Sequence, residues 1–378
     1  MSAGEASGDL HAGVLADAIR CREPDIRIVG MGGSRMAQAG VELLVDIGQS
    51  SVVGITEVVR QIPEFLRKRA TLRRWMENER PNALICVDFP DFNLRLAADA
   101  RRLGVPVVYH IPPKAWAWRP RRGIQVAEVA DAVSCLFGFE AEFYRSQGAR
   151  VAAVGHPLVD VVREAKPLSQ NEVRRRFHIP TEVPVLGLLP GSRRREVARL
   201  LQPMVQASEL VREAMPELRV LLPKAATVTD VTLHESAGTL LSNVLVVSDA
   251  TYDAIRACDF VLAASGTVTL EAALLGVPMA VVYRLSALTF ALAKRLVRVP
   301  YSGLPNLIAG REILPELLQS AASAENMARV ALSYLRNPQL REAQRQALGE
   351  AMGSLGEGGA VERVADVVLR VARREALP

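Results

Sequence analysis

The chain has 378 residues, 49% of them hydrophobic and 23% charged, a mixture that excludes a disordered or collagen-like polymer and leaves room for two domains. Its net charge of +5 permits contact with phosphates or an anionic membrane surface and does not single out nucleic acid. Cys21, Cys86, Cys135 and Cys258 form no CxxC pair, and no apolar run or leader suits a spanning helix or signal peptide. The expectation is a soluble or peripheral protein of a reducing, cytoplasmic compartment.

In chain order, Met1-Ser2-Ala3 leads into a glycine-rich turn and a helix over Leu10–Arg20. Short β-branched runs predict strands at Arg27–Gly30, Ala83–Asp88, Val105–His110, Ala132–Phe137 and Val151–Gly155, with helices over Phe92–Leu103 and Glu140–Gln147. Pro157, Pro167, Pro180 and Pro184 then cluster. A second set of strands follows at Val185–Leu189, Arg219–Pro223, Val244–Ser248, Phe260–Ala264 and Met279–Tyr283, with a helix over Arg195–Met215. Beyond Glu316 the chain reads as helices only, interrupted at Gly353–Gly359. Strand–helix alternation of this kind predicts an α/β protein of two doubly wound parallel sheets, facing each other across a cleft, with ligands at the carboxyl ends of the strands. The boundaries expected are 1–160, 161–350, and a helical segment 351–378 able to cross back to the first domain.

Several turns at strand ends carry chemistry. Gly4-Glu5-Ala6-Ser7-Gly8-Asp9 runs into a helix, where backbone amides favour an anion or sugar oxygens. Ser7 or Asp9 could simply cap that helix, a role that does not need Glu5. Gly30-Met31-Gly32-Gly33 lacks the third glycine of a dinucleotide fingerprint. Asp88-Phe89-Pro90-Asp91-Phe92-Asn93 places two carboxylates after a strand, suited to general-base work on a hydroxyl; either could be the base, with Asp91 alternatively capping the next helix. Trp116-Ala117-Trp118 follows Lys114 in a loop, where the rings could stack on a ligand or pack beneath the loop.

In the second half, Pro190-Gly191-Ser192-Arg193 leaves a strand for a helix, a cradle for a diphosphate. Ser265-Gly266-Thr267 does the same with Glu271 one turn on, a carboxylate placed to hold ribose hydroxyls. No DxD pair occurs, so no metal on the diphosphate is expected. Apolar anchors Val52, Val53, Ile55, Val58, Ile62, Phe65 and Leu66 beside Arg67 and Arg69 suit an interfacial helix on anionic lipid. An ordinary amphipathic helix with a solvated basic face explains the same pattern.

Taken in order, GEASGD (4–9), VDFPDFN (87–93), WAW (116–118), GHP (155–157), LLPGSR (188–193), SGTVTLE (265–271) and LPNLIAGR (304–311) resemble the lipid-A-disaccharide synthase family over nearly the whole chain. The resemblance implies the GT-B fold and an inverting transferase of lipid A biosynthesis. Such an enzyme joins UDP-2,3-diacylglucosamine to 2,3-diacylglucosamine 1-phosphate, giving a β-1,6 disaccharide and UDP, at the cytoplasmic face of the inner membrane. It further implies Asp88 as base and Arg193 as a diphosphate contact. Ser265, Gly266, Thr267 and Glu271 would surround the nucleotide, Asn306 would lie near the donor, and Glu5 and Ser7 would line the acceptor side. Residues 52–66 would form the membrane and acyl-chain surface. No cofactor and no metal are implied, and a homodimer is left open.

The alternatives are another UDP-GlcNAc-dependent GT-B enzyme, such as a cell-wall transferase or an epimerase, and a non-catalytic UDP-sugar or lipid-binding protein. One departure stands out: a glycine-rich turn of this kind should follow a buried apolar strand, yet only Met1, Ser2 and Ala3 precede Gly4. The expectation is therefore that the first strand of the N-terminal sheet is missing, its central slot open, and that the natural start lies some residues upstream.

Overall fold

The computed structural model describes the chain except residues 49–54, 287–288, 291–294, 296, 298 and 377–378, and except the side chains of residues 55–62. It divides into two compact units, Met1–Pro157 with Gly356–Pro378, and Leu158–Leu355. The C-terminal segment thus belongs to the first unit.

In the first unit, strands β1 (Ser2–Ala3), β2 (Val29–Gly32), β3 (Glu42–Asp46), β4 (Leu84–Val87), β5 (Val107–His110), β6 (Ala132–Cys135) and β7 (Val151–Ala153) form one parallel sheet. Their order is β3-β2-β1-β4-β5-β6-β7. Every residue of β2, β4, β5 and β6 is buried, as expected of parallel strands covered on both faces, which is why they read as continuous apolar runs. Helices α1 (Ala6–Arg22), α2 (Ser34–Gln38), α3 (Ile55–Glu79), α4 (Pro90–Arg102), α5 (Ala115–Trp118), α6 (Arg121–Val129) and α7 (Gly138–Ser146) connect them. Leu96, Val107, Tyr109 and Tyr144 are wholly buried in the core.

The second unit begins with helices α8 (Leu158–Glu164) and α9 (Gln170–Arg176). Its parallel sheet is built from β8 (Val185–Leu189), β9 (Arg219–Pro223), β10 (Leu245–Val247), β11 (Phe260–Ala264), β12 (Met279–Tyr283) and β13 (Glu316–Leu318), in the order β10-β9-β8-β11-β12-β13. Helices α10 (Arg194–Ala214), α11 (Asp230–Ala237), α12 (Thr251–Arg256), α13 (Val268–Leu274), α14 (Leu304–Ala309), α15 (Ala324–Arg336) and α16 (Pro338–Gly353) complete the unit. Helix α17 (Ala360–Ala372) returns to the first unit and packs on α1. There Arg22 pairs with Asp366 at 2.9 Å, and Arg363 donates to the Val154 carbonyl at 2.9 Å.

The expected open slot is overturned. Two residues, Ser2 and Ala3, form the central strand and pair with Met31 on one side and with Cys86 and Val87 on the other. Met1 extends the ladder: its nitrogen donates to the Val29 carbonyl at 2.7 Å, and its carbonyl accepts from Met31 N at 3.0 Å. The close approach depends on Gly30, where a Cβ would lie 1.8 Å from the Met1 oxygen. A strand needs ladder bonds more than length, and three residues supply them. Two further elements depart from the sequence reading. The half-exposed β3 was not expected, and β13 interrupts the tail expected to be helical beyond Glu316.

Candidate active site

In both sheets the strand order reverses beside the first strand of the unit, between β1 and β4 and between β8 and β11. In a doubly wound fold that switch point is where ligands bind, at the carboxyl ends. Gly4-Glu5 and Asp88 leave the first switch point; Gly191–Arg193 and Ser265–Thr267 leave the second.

At the first edge, Asp88 and Phe89 both adopt left-handed backbone, each with φ 49°, and Ile111 follows with φ 54°. Such conformations persist where surrounding bonds impose them. Asn93 does so: buried, it takes a hydrogen bond from Ser2 Oγ at 2.7 Å and donates to the carbonyls of Ser2, Val87 and Asp88. Tyr109 OH adds a bond to the Asp88 carbonyl at 3.1 Å. Gly4 is required beside this turn, because a Cβ there would fall 2.0 Å from the Phe89 ring.

The turn is thus fixed through the Asp88 main chain. The Asp88 carboxylate itself makes no hydrogen bond or ion pair among the described residues and borders a cavity of about 230 Å³ with Ile111, Lys114, Trp118, Arg119 and Arg122. Burial, reinforced by the Asp88 charge, raises the pKa of Glu5. Asp91, exposed in the first turn of α4, pairs instead with Arg122. The two carboxylates of the motif therefore differ in circumstance: Asp88, a residue that lines the cavity, has no side-chain hydrogen bond or ion pair among the described residues, while Asp91 holds an arginine.

Asp9 accepts from the backbone of Gly33 (2.7 Å), Arg35 (3.0 Å) and Met36 (3.1 Å). It caps α2 rather than its own helix, and a Cβ on Gly33 would meet its carboxylate at 2.8 Å. Ser7 is exposed. Sequence reasoning missed His11 and His110 here and gave His156, though part of the GHP motif, no role. Burial lowers His11, takes His110 down to about 3 and His156 down to about 4. His110 Nδ1 lies 3.0 Å from Ser134 Oγ, and the His156 ring is 5.1 Å from that of Phe137. It also missed Glu140, buried and pushed up to about 7 by desolvation, which accepts from Trp116 Nε1 at 3.3 Å and Leu136 N at 3.2 Å. The signal of His110 and Glu140 was faint, since neither belongs to a glycine turn or carboxylate pair, whereas His156 follows Gly155 in the GHP motif.

At the second edge, Gly191 has φ 106°, and a Cβ there would lie 2.5 Å from Glu196 Oε2. Ser192 is exposed, and its carbonyl accepts from Thr227 Oγ1 at 2.6 Å. Arg193, the residue before α10, is 82% exposed and pairs with Glu196 at 3.0 Å, so most of its guanidinium edge remains open to a ligand. Ser265 Oγ donates to the Ser302 carbonyl at 2.8 Å. Nothing would crowd a Cβ on Gly266, while Thr267 precedes α13. Burial raises the pKa of Glu271, and burial with the nearby Glu271 charge pushes Tyr252 up to about 12.

Asn306 lies away from solvent with all its amide positions taken. It donates to the Leu314 carbonyl and Glu316 and accepts from Ile313 N and Leu314 N. Its amide holds its own loop in place.

Of the expected lipid-facing residues, Val52, Val53, Ile55, Val58 and Ile62 lie outside the residues whose side chains are described. Leu66 is 52% exposed and Arg67 is exposed. Arg69 makes a bidentate pair with buried Asp99, at 2.6 and 2.8 Å. Phe65 packs with Phe89 and Phe92, ring centroids 5.5 and 5.9 Å away, and with Glu5, Met31 and Lys68 borders a cavity of about 530 Å³. Among the described residues no helix is long and apolar enough to cross a membrane, and no group of three His, Cys, Asp or Glu could hold a metal.

Comparison with known proteins adds to this geometry. A solved structure described as a putative UDP-N-acetylglucosamine 2-epimerase from Listeria monocytogenes superposes with a TM-score of 0.62 at 14% identity, covering 100% of this chain and 97% of that one, which identifies the GT-B fold. The lipid-A-disaccharide synthase of Geobacter sulfurreducens is 41% identical over 374 residues, 99% of this chain and 97% of that protein. The lipid-A-disaccharide synthase of Anaeromyxobacter sp. (strain K) is 42% identical over 372 residues, 98% and 96% respectively. The family model for lipid-A-disaccharide synthetase matches residues 1–366. With motif pairs at both switch points and similarity along nearly its whole length, the chain belongs to the lipid-A-disaccharide synthase family of glycosyltransferases.

Proposed function

We propose that this chain transfers the diacylglucosamine of UDP-2,3-diacylglucosamine to the 6-hydroxyl of 2,3-diacylglucosamine 1-phosphate, with Asp88 as general base. The observation that carries the assignment is the Asp88 carboxylate, fixed through its main chain at the first switch point and unpaired among the described residues beside a cavity. Asp88 takes the proton of the acceptor hydroxyl as that oxygen attacks the anomeric carbon from the face opposite UDP, inverting it. Base catalysis of this kind contributes about 10²–10⁴-fold in rate. Glu5, at the same strand edge, orients acceptor hydroxyls, and Asp91 positions Arg122.

The second unit receives the nucleotide. Arg193 and the amides around Gly191 and Ser192 meet the charge that grows on the departing diphosphate, with Ser265, Gly266 and Thr267 beside it and Glu271 toward the ribose. In this reading the charge is met without a metal. Apolar Phe65 in the larger cavity and exposed Leu66 and Arg67 support contact with acyl chains and peripheral attachment to the cytoplasmic face of the inner membrane.

Asp88→Asn tests the assignment by keeping shape and removing the base. UDP affinity should persist while turnover falls at least about 100-fold. Intact turnover in Asp88→Asn together with loss in Asp91→Asn would move the base to Asp91.

A further inference from the structure

The cavity beside Asp88 has a charge pattern that proton abstraction does not require. Lys114, Arg119 and Arg122 all border it. The loop from Ile111 and the short α5 bring them together: Lys114 precedes α5, Arg119 follows it, and Arg122 lies in the first turn of α6. Asp91 engages Arg122 from outside the lining. The Arg119 side chain makes no hydrogen bond or ion pair among the described residues and lies over the Trp118 ring, its Cζ 4.1 Å from the centroid. A guanidinium stacked by its face keeps its edge N–H fork free, the geometry that takes a phosphate through paired hydrogen bonds. With Arg122 already paired to Asp91, Lys114 and Arg119 against the lining carboxylate Asp88 still leave the cavity wall positive and suited to a phosphate.

We propose that Lys114, Arg119 and Arg122 bind the phosphomonoester of the acceptor sugar and so set the enzyme's requirement for a 1-phosphorylated acceptor. This rests on the transferase reading above and adds the group by which the acceptor is chosen. In a pyranose aminosugar C1 and C5, the carbon that carries the 6-hydroxymethyl, both flank the ring oxygen, so the 1-phosphate and the 6-hydroxyl leave the same edge of the ring a few ångströms apart. A cation cluster and a base on the walls of one cavity can therefore engage both groups of one head group. The cavity, at about 230 Å³, suits a head group, and the separate apolar cavity bordered by Phe65 suits a chain. The cations also offset the repulsion that a dianion would otherwise exert on ionised Asp88.

The experiment compares kcat/KM for 2,3-diacylglucosamine 1-phosphate and for the same lipid without its phosphate, in wild type, Arg119→Gln, Lys114→Gln and Arg121→Gln. Arg121 is adjacent, exposed and outside the cavity lining. The expected result is a wild-type preference for the phosphorylated acceptor that collapses at least tenfold in Arg119→Gln and Lys114→Gln and is retained in Arg121→Gln. The KM for the UDP-sugar should move less than twofold. A preference unchanged in both cavity variants, or equal losses on both acceptors, overturns the proposal while leaving the transferase reading intact.

Binding of glucosamine 1-phosphate, measured directly by calorimetry, keeps the two readings separable. Should wild type form no disaccharide, Arg119-dependent binding of glucosamine 1-phosphate over glucosamine sustains the sugar-phosphate site while the transferase reading falls. Equal affinity for inorganic phosphate would make this a free-phosphate site and overturn the proposal. Arg119-dependent sedimentation with phosphatidylglycerol vesicles, indifferent to glucosamine 1-phosphate, would assign the cations to the membrane and overturn it too.

Discussion

Glu140→Gln should flatten the pH dependence of the first unit's stability. Glu140 is 5% exposed, and desolvation raises its carboxyl from an ordinary 4.5 to about 7. Between those values the folded chain holds a proton that the unfolded chain has lost, so this group's contribution to stability is full below about pH 4.5 and falls as pH rises toward 7. At 1.36 kcal/mol per unit the whole effect is about 3 kcal/mol, most of which falls between pH 5 and 8.5. Glutamine removes the titrating proton: its oxygen can still accept from Trp116 Nε1, while its amide then meets the Leu136 N–H without accepting from it, a cost that does not vary with pH and so leaves the comparison of pH profiles intact.

All three tryptophans, Trp75, Trp116 and Trp118, lie in the first unit, so urea unfolding followed by tryptophan fluorescence reports that unit alone. The lowered His110 and His156 act in the opposite direction, but they are common to both proteins and cancel in the difference. Wild type should lose about 2–3 kcal/mol relative to Glu140→Gln from pH 5 to 8.5. Parallel pH profiles for the two proteins would refute the reasoning.

Arg69→Ala strands Asp99 as a buried, nearly unpaired carboxylate, since only exposed Arg102 remains beside it at 3.2 Å; a cost of about 3–5 kcal/mol is expected in the same fluorescence assay. Asn306→Ala leaves two backbone N–H groups without their acceptor. It should lower the second unit's stability by about 1–3 kcal/mol per unsatisfied group, read as greater proteolysis of the 304–318 region. Arg193→Ala should weaken UDP by about 1.5–3 kcal/mol, the usual worth of charge-assisted bonds. Calorimetry in EDTA should show wild-type UDP binding undiminished, and chelator-sensitive binding would contradict the metal-free reading.

Local pattern alone determined much of this protein. Strands such as Leu84–Val87, Val185–Leu189 and Phe260–Ala264 are apolar at nearly every position because a parallel sheet covered on both faces leaves them no wet side. The glycines of GEASGD and PGSR mark turns where backbone must pass close to Phe89 and Glu196, a demand written at the residue itself.

What the tertiary structure decided is non-local. Met1, Ser2 and Ala3 join the sheet through partners 28 or more residues away, so their pairing depended on where Val29, Met31 and Cys86 came to lie. Arg69 reads as one cation in a basic stripe until folding places Asp99 beside it, and the sequence could not show that the Asn306 amide is fully engaged by its own loop. The difference between Asp88 and Asp91, three residues apart in one motif, was settled by a single arginine 31 residues beyond the second. Sequence states which groups are available; the fold decides which are already spent on one another and which remain for a substrate.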